Sequence, residues 1–241
     1  EAGTADTVLI RSAAMNKDIK CVVIKPDDYG KSNIRYPVVY LLHGYSGNYA
    51  QWITIAPQLK KVVDDMHLLI VCPDGGYSSW YFDSPIDSSI RYETFITKEV
   101  IAYMDAGYRT LPEKKGRAIA GLSMGGHGAL YLSSLHPDLY GAAGSMSGGV
   151  DIRPFPDKWE IGKVLGDITK FALYWDDHSA ISTMEKLKNN ELRIIIDCGV
   201  DDFFMEVNRN LHRRLLQRRI DHDFIERPGE HNSAYWNNAV D

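Results

Sequence analysis

Ser123 is the middle residue of Gly121-Leu122-Ser123-Met124-Gly125, a G-x-S-x-G pattern that follows the apolar run Ala118–Ala120 and opens a helix-like stretch. A serine at such a strand-to-helix corner is held in a strained backbone conformation with its hydroxyl turned outward. Flanking glycines remove the side chains that would collide there. The helix beginning behind it aims N–H groups and partial positive charge at negative charge forming on a bound carbonyl oxygen. These are the parts of a nucleophile. The nearby "GSMSGG" places Met146 midway between Gly144 and Gly148, so Ser145 and Ser147 read as structural.

A serine hydroxyl attacks poorly at neutral pH without a base, and the base needs an acid to orient it. When the chain order is nucleophile, acid, base, both partners lie C-terminal to Ser123. His212, in the basic stretch "RNLHRRLLQRR", and His222, in "DHDF", read as surface residues. His231, in "RPGEHNSAYW", lies on a Pro/Gly loop just past the last strand-like run, at the sheet edge where such folds place their sites. It is the candidate base. "RIIIDCGVDDFF" offers Asp201 and Asp202 just beyond a buried strand, and the residues themselves leave the choice between them open. Asp197, inside the strand, reads as structural. Two backbone N–H groups complete an oxyanion hole. One belongs to Met124, and the other to the loop of "LLHGYSGN", where Gly44 and Gly47 permit close approach. His43 reads as a residue that orients this loop.

The elements that must position these groups alternate along the chain. "TVLIRSAA" and "IKCVVIKP" read as an antiparallel hairpin turning near Asn16–Asp18 at a sheet edge. "YPVVYLLHG", "HLLIVCPDG", "GRAIAG", "YGAAGSMSGG", "LRIIIDCG" and "HDFIERPG" read as further strands. Helical spacing marks "QLKKVVDDM", "RYETFITKEVIAYMDAGY", "GGHGALYLSSLHP", "DFFMEVNRNLHRRLLQRR" and "SAYWNNAVD". Such alternation predicts a doubly wound, mostly parallel sheet with helices on both faces and an antiparallel N-terminal edge. Residues 1–241 read as a single domain. Within it, residues 150–190 form a less regular insertion over the strand ends.

The bulk composition narrows the function classes. At 241 residues, 44% hydrophobic and 24% charged, the chain has the make-up of an ordinary globular protein. Its net charge is −5, and the basic stretch at 209–219 reads as an amphipathic helix buried through Leu211, Leu215 and Leu216 rather than a nucleic-acid patch. No apolar run has the length of a membrane span. The three cysteines, Cys21, Cys72 and Cys198, have no metal-ligand spacing and are too few for a disulfide framework. The chain begins at Glu1 rather than Met, which a cleaved export signal would explain; a secreted or periplasmic location is the expectation. Tyr45, Trp52, Tyr77, Trp80, Tyr81, Phe82, Trp159, Trp175 and Trp236 fall in or near loops, where "GYSSWYFDSP" would line a cleft suited to a planar acyl group.

"YPVVYLLHGYSGN", "RYETFITKEV", "AIAGLSMGGHGAL", "AAGSMSGGVD", "CGVDDFF" and "ERPGEHNSAYW", in this order from Tyr36 to Trp236, resemble the esterase D family of α/β-hydrolases. That family includes S-formylglutathione hydrolases, small-acyl esterases, feruloyl esterases and, more distantly, mycolyltransferases. The resemblance implies the α/β-hydrolase fold, with Ser123 as nucleophile, His231 as base and Asp202 as acid. It also implies that the backbone N–H groups of Tyr45 and Met124 form the oxyanion hole, and it implies no metal or organic cofactor. Glu230 stands where the family carries the second glycine of its histidine turn. The expected activity is that of a serine carboxylesterase on small acyl or aromatic (feruloyl- or acetyl-type) esters, free or polysaccharide-linked. The alternatives are S-formylglutathione hydrolysis, which would require a cationic pocket, and a catalytically dead carbohydrate-binding relative.

Overall fold

The computed structural model describes residues 2–240. Eight strands form one sheet: β1 (Thr4–Ser12), β2 (Lys17–Lys25), β3 (Val38–Leu42), β4 (Leu69–Pro73), β5 (Arg117–Leu122), β6 (Ala142–Met146), β7 (Arg193–Gly199) and β8 (Asp223–Arg227). Their spatial order is β1-β2-β4-β3-β5-β6-β7-β8. β2 runs antiparallel to both β1 and β4, and every pairing from β4 to β8 is parallel. The mostly parallel sheet with an antiparallel N-terminal edge is therefore as the sequence predicts. β3 is flanked by β4 on one side and β5 on the other, so the chain reverses its direction of winding there. At such a switch point the loops leaving two neighbouring strands diverge and open a crevice. Those loops begin at His43 and at Ser123.

Residues alternate between two apolar layers because successive strand side chains point to opposite faces. Cys21, Val23, Tyr40 and Leu42 join one cluster, and Val22, Ile24, Leu41 and Cys72 join the other. The second layer is roofed by α1 (Gln51–Ile55), which the sequence did not announce, and α2 (Leu59–Met66). The first carries a long helical stretch made of α3 (Tyr92–Thr94), a π-helical segment Phe95–Val100 and α4 (Ile101–Gly107). Glu99 in the π segment reaches the β1–β2 turn, where its carboxylate accepts from Ser12 Oγ at 2.6 Å and the Ala13 N–H at 2.7 Å. α5 (Met124–Leu135) is buried from Met124 through Ser133. A helix apolar all round belongs inside a fold, and glycines let this one approach the sheet.

Residues 150–190 fold as three short helices, α6 (Ile161–Leu165), α7 (Ala172–Asp177) and α8 (Ala180–Met184). The Ile181 N–H donates to the Val150 carbonyl at 2.9 Å, and the Ala180 N–H donates to His127 Nε2 on α5 at 3.1 Å. This part of the insertion thus lies beside α5. α9 (Met205–Gln217) and α10 (Ser233–Ala239) follow. In α9, Leu211 and Leu215 are buried, but Leu216 is 58% exposed, because a position one residue on from a buried one turns toward solvent. His212 and His222 are not two separate surface residues. Their rings are hydrogen-bonded, Nδ1 to Nε2, at 2.7 Å and partly buried.

His127 is fully buried among Trp80, Phe82 and Tyr131, and burial pushes its imidazole down from 6.5 to about 3. The unfolded chain binds a proton at this residue below about pH 6.5 and the folded chain only near pH 3, so acid favours unfolding throughout that window. We expect unfolding free energy to rise with pH from 3 to 6.5, with His127 supplying a slope of up to about 1.4 kcal/mol per pH unit. His127→Gln, which keeps an acceptor for the Ala180 N–H, should flatten that slope in urea titrations across the same range.

Candidate active site

Ser123 closes β5 and opens α5 with φ 55° and ψ −113°, a conformation that L-residues rarely occupy. Surrounding backbone holds it there. The Ser123 N–H donates to the Met146 carbonyl at 2.9 Å, while the Ser123 carbonyl accepts from the His127 N–H at 3.0 Å and the Gly149 N–H at 3.3 Å. A Cβ at Gly121 would collide with the Gly125 carbonyl, and one at Gly125 with the Leu42 carbonyl. The corner can close this tightly only because both residues lack side chains.

The structure brings Ser123, His231 and Asp202 into one hydrogen-bonded chain. His231 Nε2 lies 2.9 Å from Ser123 Oγ, and His231 Nδ1 lies 2.7 Å from Asp202 Oδ2. A carboxylate only accepts, so Nδ1 carries the ring proton and Nε2 turns its lone pair to the serine hydroxyl. The side chain of Asp202 is wholly buried and that of His231 is 14% exposed. Asp202 also accepts the Phe204 N–H at 2.7 Å through Oδ1, which fixes the carboxylate at the start of α9. That contact also explains why α9 begins at Met205 rather than at Asp202. Asp201 plays a different part: it is exposed, and its N–H donates to the Gly229 carbonyl at 2.9 Å. Gly229, at φ 137°, makes the turn before His231, and the exposed Glu230 is accommodated in it.

On the other side of Ser123, the peptide after β3 is held by its neighbours. His43 is buried; its Nε2 accepts the Gly75 N–H at 2.8 Å, so its protonated Nδ1 donates to the Gly44 carbonyl at 2.8 Å. Burial lowers the His43 pKa, consistent with this neutral form. The Gly44 carbonyl, which also accepts the Gly47 N–H at 3.0 Å, and the Tyr45 N–H share one planar peptide and point in opposite directions, so His43 and Gly47 together set where the Tyr45 N–H points. Among the described residues, neither the Tyr45 nor the Met124 N–H bonds to a protein acceptor. Gly44 packs against Ser123: a Cβ built on it would stand 3.5 Å from Ser123 Cβ.

His231 is enclosed by three aromatic rings. Phe203 lies 4.3 Å from it between ring centroids, Trp236 4.9 Å away and perpendicular, and Phe204 5.4 Å away. Trp236 is anchored by its Nε1–H, which donates to Ser147 Oγ at 3.0 Å, so Ser147 supports the site from a distance. Asp197 serves structure, as the sequence suggests, accepting from Arg227 at 2.5 Å and from the Tyr235 hydroxyl. The expected aromatic cleft needs correction. Trp52, Trp80, Tyr81, Phe82 and Trp175 are at most 1% exposed and pack the interior; Tyr45, Tyr77 and Trp159 keep exposed surface. Sequence reasoning missed Phe203, which is 54% exposed beside His231. Its position directly after Asp202 was the available signal.

No helix is long and apolar enough to cross a membrane, and no group of three or more His, Cys, Asp or Glu stands ready to hold a metal, both among the described residues.

Fold and site together define the class: a mixed sheet with helices on both faces, carrying a serine, a histidine and a carboxylate at its switch point, the architecture of α/β-hydrolase esterases. A ferulic acid esterase structure superposes with a TM-score of 0.85 at 26% identity, covering 99% of this chain and 95% of that one. An S-formylglutathione hydrolase from Staphylococcus aureus has the same fold, with a TM-score of 0.85 at 19% identity over all of this chain and 96% of its own. Residues 12–241 match the family model named Esterase, and the chain belongs to that family. Among curated relatives, esterase Rv1288 of Mycobacterium tuberculosis is 29% identical over 236 residues, covering 87% of this chain and 51% of its own length. The chain thus spans about half the length of the mycobacterial esterases it matches. An acetyl esterase of Caldicellulosiruptor saccharolyticus is 27% identical over 236 residues, covering 90% of this chain and 86% of its own.

The corner predicts its own intolerance. Gly125→Ala should lower unfolding free energy by about 1–3 kcal/mol through overpacking. Gly162→Ala, at an α6 position with nothing within 4 Å of the added carbon, should leave stability level or raise it by up to about 1 kcal/mol. Guanidinium melts of the two variants make the comparison.

Proposed function

We propose that the protein is a serine carboxylesterase in which Ser123 is the nucleophile, His231 the general base and Asp202 the residue that orients it. The observation carrying this reading is the unbroken path from Asp202 through His231 to the hydroxyl of a strained serine, with contacts of 2.7 and 2.9 Å. Ser123 Oγ attacks the ester carbonyl while its proton passes to His231 Nε2, and Asp202 steadies the imidazolium. The N–H groups of Tyr45 and Met124, free of protein acceptors, receive the oxyanion. The alcohol leaves with the proton from His231, and water releases the acid by the same route.

Acetyl and feruloyl groups are the acyl classes we favour, in keeping with the acetyl esterase and ferulic acid esterase relatives. The partly exposed ring of Tyr45 and the exposed ring of Tyr77, packed edge to face at 5.2 Å, suit an apolar or aromatic acyl group better than a charged thioester. The Tyr45 phenol pKa is raised, first by desolvation and then by the negative charge of nearby Glu160. Glu160 is paired with Lys163 at 2.7 Å, so that pair offers no net positive charge to the carboxylates of glutathione.

Ser123→Ala should abolish fluorophosphonate labelling and reduce turnover of p-nitrophenyl acetate by several orders of magnitude. Asp202→Asn should cost about 10⁴ in kcat, because the wrong imidazole tautomer is then stabilised, whereas Asp201→Asn should stay within about threefold of the parent. Equal losses from the two aspartate variants would refute the assignment of the acid. Methyl ferulate assayed beside p-nitrophenyl acetate and S-formylglutathione ranks the acyl classes.

A further inference from the structure

The three rings around His231 differ in one respect. Phe204 and Trp236 are buried, whereas Phe203 is 54% exposed although it is a large apolar side chain next to the candidate base. It does not stand alone. Trp159, from the 150–190 segment, stacks on it at 5.6 Å with 20° between planes. Trp159 is fixed in turn: its carbonyl accepts the Trp80 Nε1–H at 3.1 Å, and its ring meets Phe155 at 5.1 Å and Phe204 at 5.0 Å. Residues 159 and 160 both have positive φ, 49° and 57°, so the chain turns sharply where it presents this indole. The two nearly parallel rings form an offset stack beside His231, in which Phe203 is more than half exposed and Trp159 keeps part of its surface open.

Its position relative to His231 says which part of a substrate it meets. In acylation the bond from Ser123 Oγ to the carbonyl carbon forms as the serine proton moves to His231 Nε2. The carbon–oxygen bond to the alcohol then breaks, and His231 gives that proton to the departing oxygen. The alcohol oxygen must therefore come within hydrogen-bond reach of Nε2, and the rest of the alcohol extends alongside the imidazole. Phe203 covers that imidazole at 4.3 Å.

We propose that Phe203 and Trp159 form the leaving-group platform and set specificity for the alcohol half of the ester. The class favoured is an alcohol presenting a flat apolar ring face, either an aryl ring or the C–H face of a pyranose. This inference rests on the serine esterase reading and assigns a direction to its site.

Esters sharing one acyl group pass through the same acyl-enzyme, so differences among their alcohols arise in acylation alone. Ethyl acetate, phenyl acetate and an acetylated methyl pyranoside form one series; phenyl acetate and phenyl butyrate form another. Phe203→Leu keeps apolar volume but loses the ring plane. It should lower the kcat/KM preference for ring alcohols over ethanol about tenfold, with Phe203→Trp restoring it and Trp159→Leu reproducing the loss. The butyrate-to-acetate ratio should hold within about twofold. Loss confined to phenyl acetate identifies an aryl platform; loss on the pyranoside as well identifies a sugar platform. A shifted acyl ratio would assign the rings to the acyl side, and a uniform fall across all esters would reduce Phe203 to a support for His231. Either result overturns the proposal. Failure of the wild-type protein to take up fluorophosphonate would instead bring down the serine mechanism, and with it this inference.

Discussion

Everything at this site depends on a backbone corner that L-residues rarely adopt. Ser123 sits at φ 55° and ψ −113°, between a strand that stops at Leu122 and a helix that starts at Met124. The strain costs roughly 1–3 kcal/mol and persists only where the surroundings over-determine it. Here they do. Three backbone hydrogen bonds fix Ser123, and the absent side chains of Gly121 and Gly125 let the helix close onto β3 and β5. From this corner the nearly buried serine hydroxyl meets His231 Nε2 at 2.9 Å.

Asp202 and His231 belong to a second rigid frame. β7 and β8 are parallel neighbours, and the residues beyond their ends remain paired: the Val200 N–H donates to the Arg227 carbonyl and the Asp201 N–H to the Gly229 carbonyl, both at 2.9 Å. The 2.7 Å contact between His231 and Asp202 is thus made within one unit. The 2.9 Å contact to Ser123 joins that unit to the β5 corner, and Trp236, tied to Ser147 at the end of β6, braces the join.

The sequence made the sheet legible because its strands are short apolar runs broken by glycine, proline and charge, and element boundaries differ by a few residues at most. It made Ser123 legible through a local pattern. The choice between Asp201 and Asp202 was closed to physical reading, since adjacent residues differ only in which way the chain turns after β7; the family resemblance pointed to Asp202, the residue found 2.7 Å from His231. The aromatic residues were least legible. Trp52 and Trp175 lie in irregular sequence yet fill the interior, whereas Phe203 lies in a run that reads as helix and faces solvent. Loop position in a sequence does not reveal whether a large ring points in or out, because that is decided by distant segments such as the one carrying Trp159. The pairing of His212 with His222 was hidden for the same reason: it joins a helix to a strand.

None of Ser123, Asp202 and His231 comes from the 150–190 segment, yet that segment supplies Trp159 at the rim. Of the two rings stacked at that rim, one is thus on the irregular segment, while the other, Phe203, stands directly after Asp202. An exchange of the indole would reshape the rim and leave the contacts of Asp202, His231 and Ser123 in place, whereas a shift of the backbone at Phe203 would disturb both.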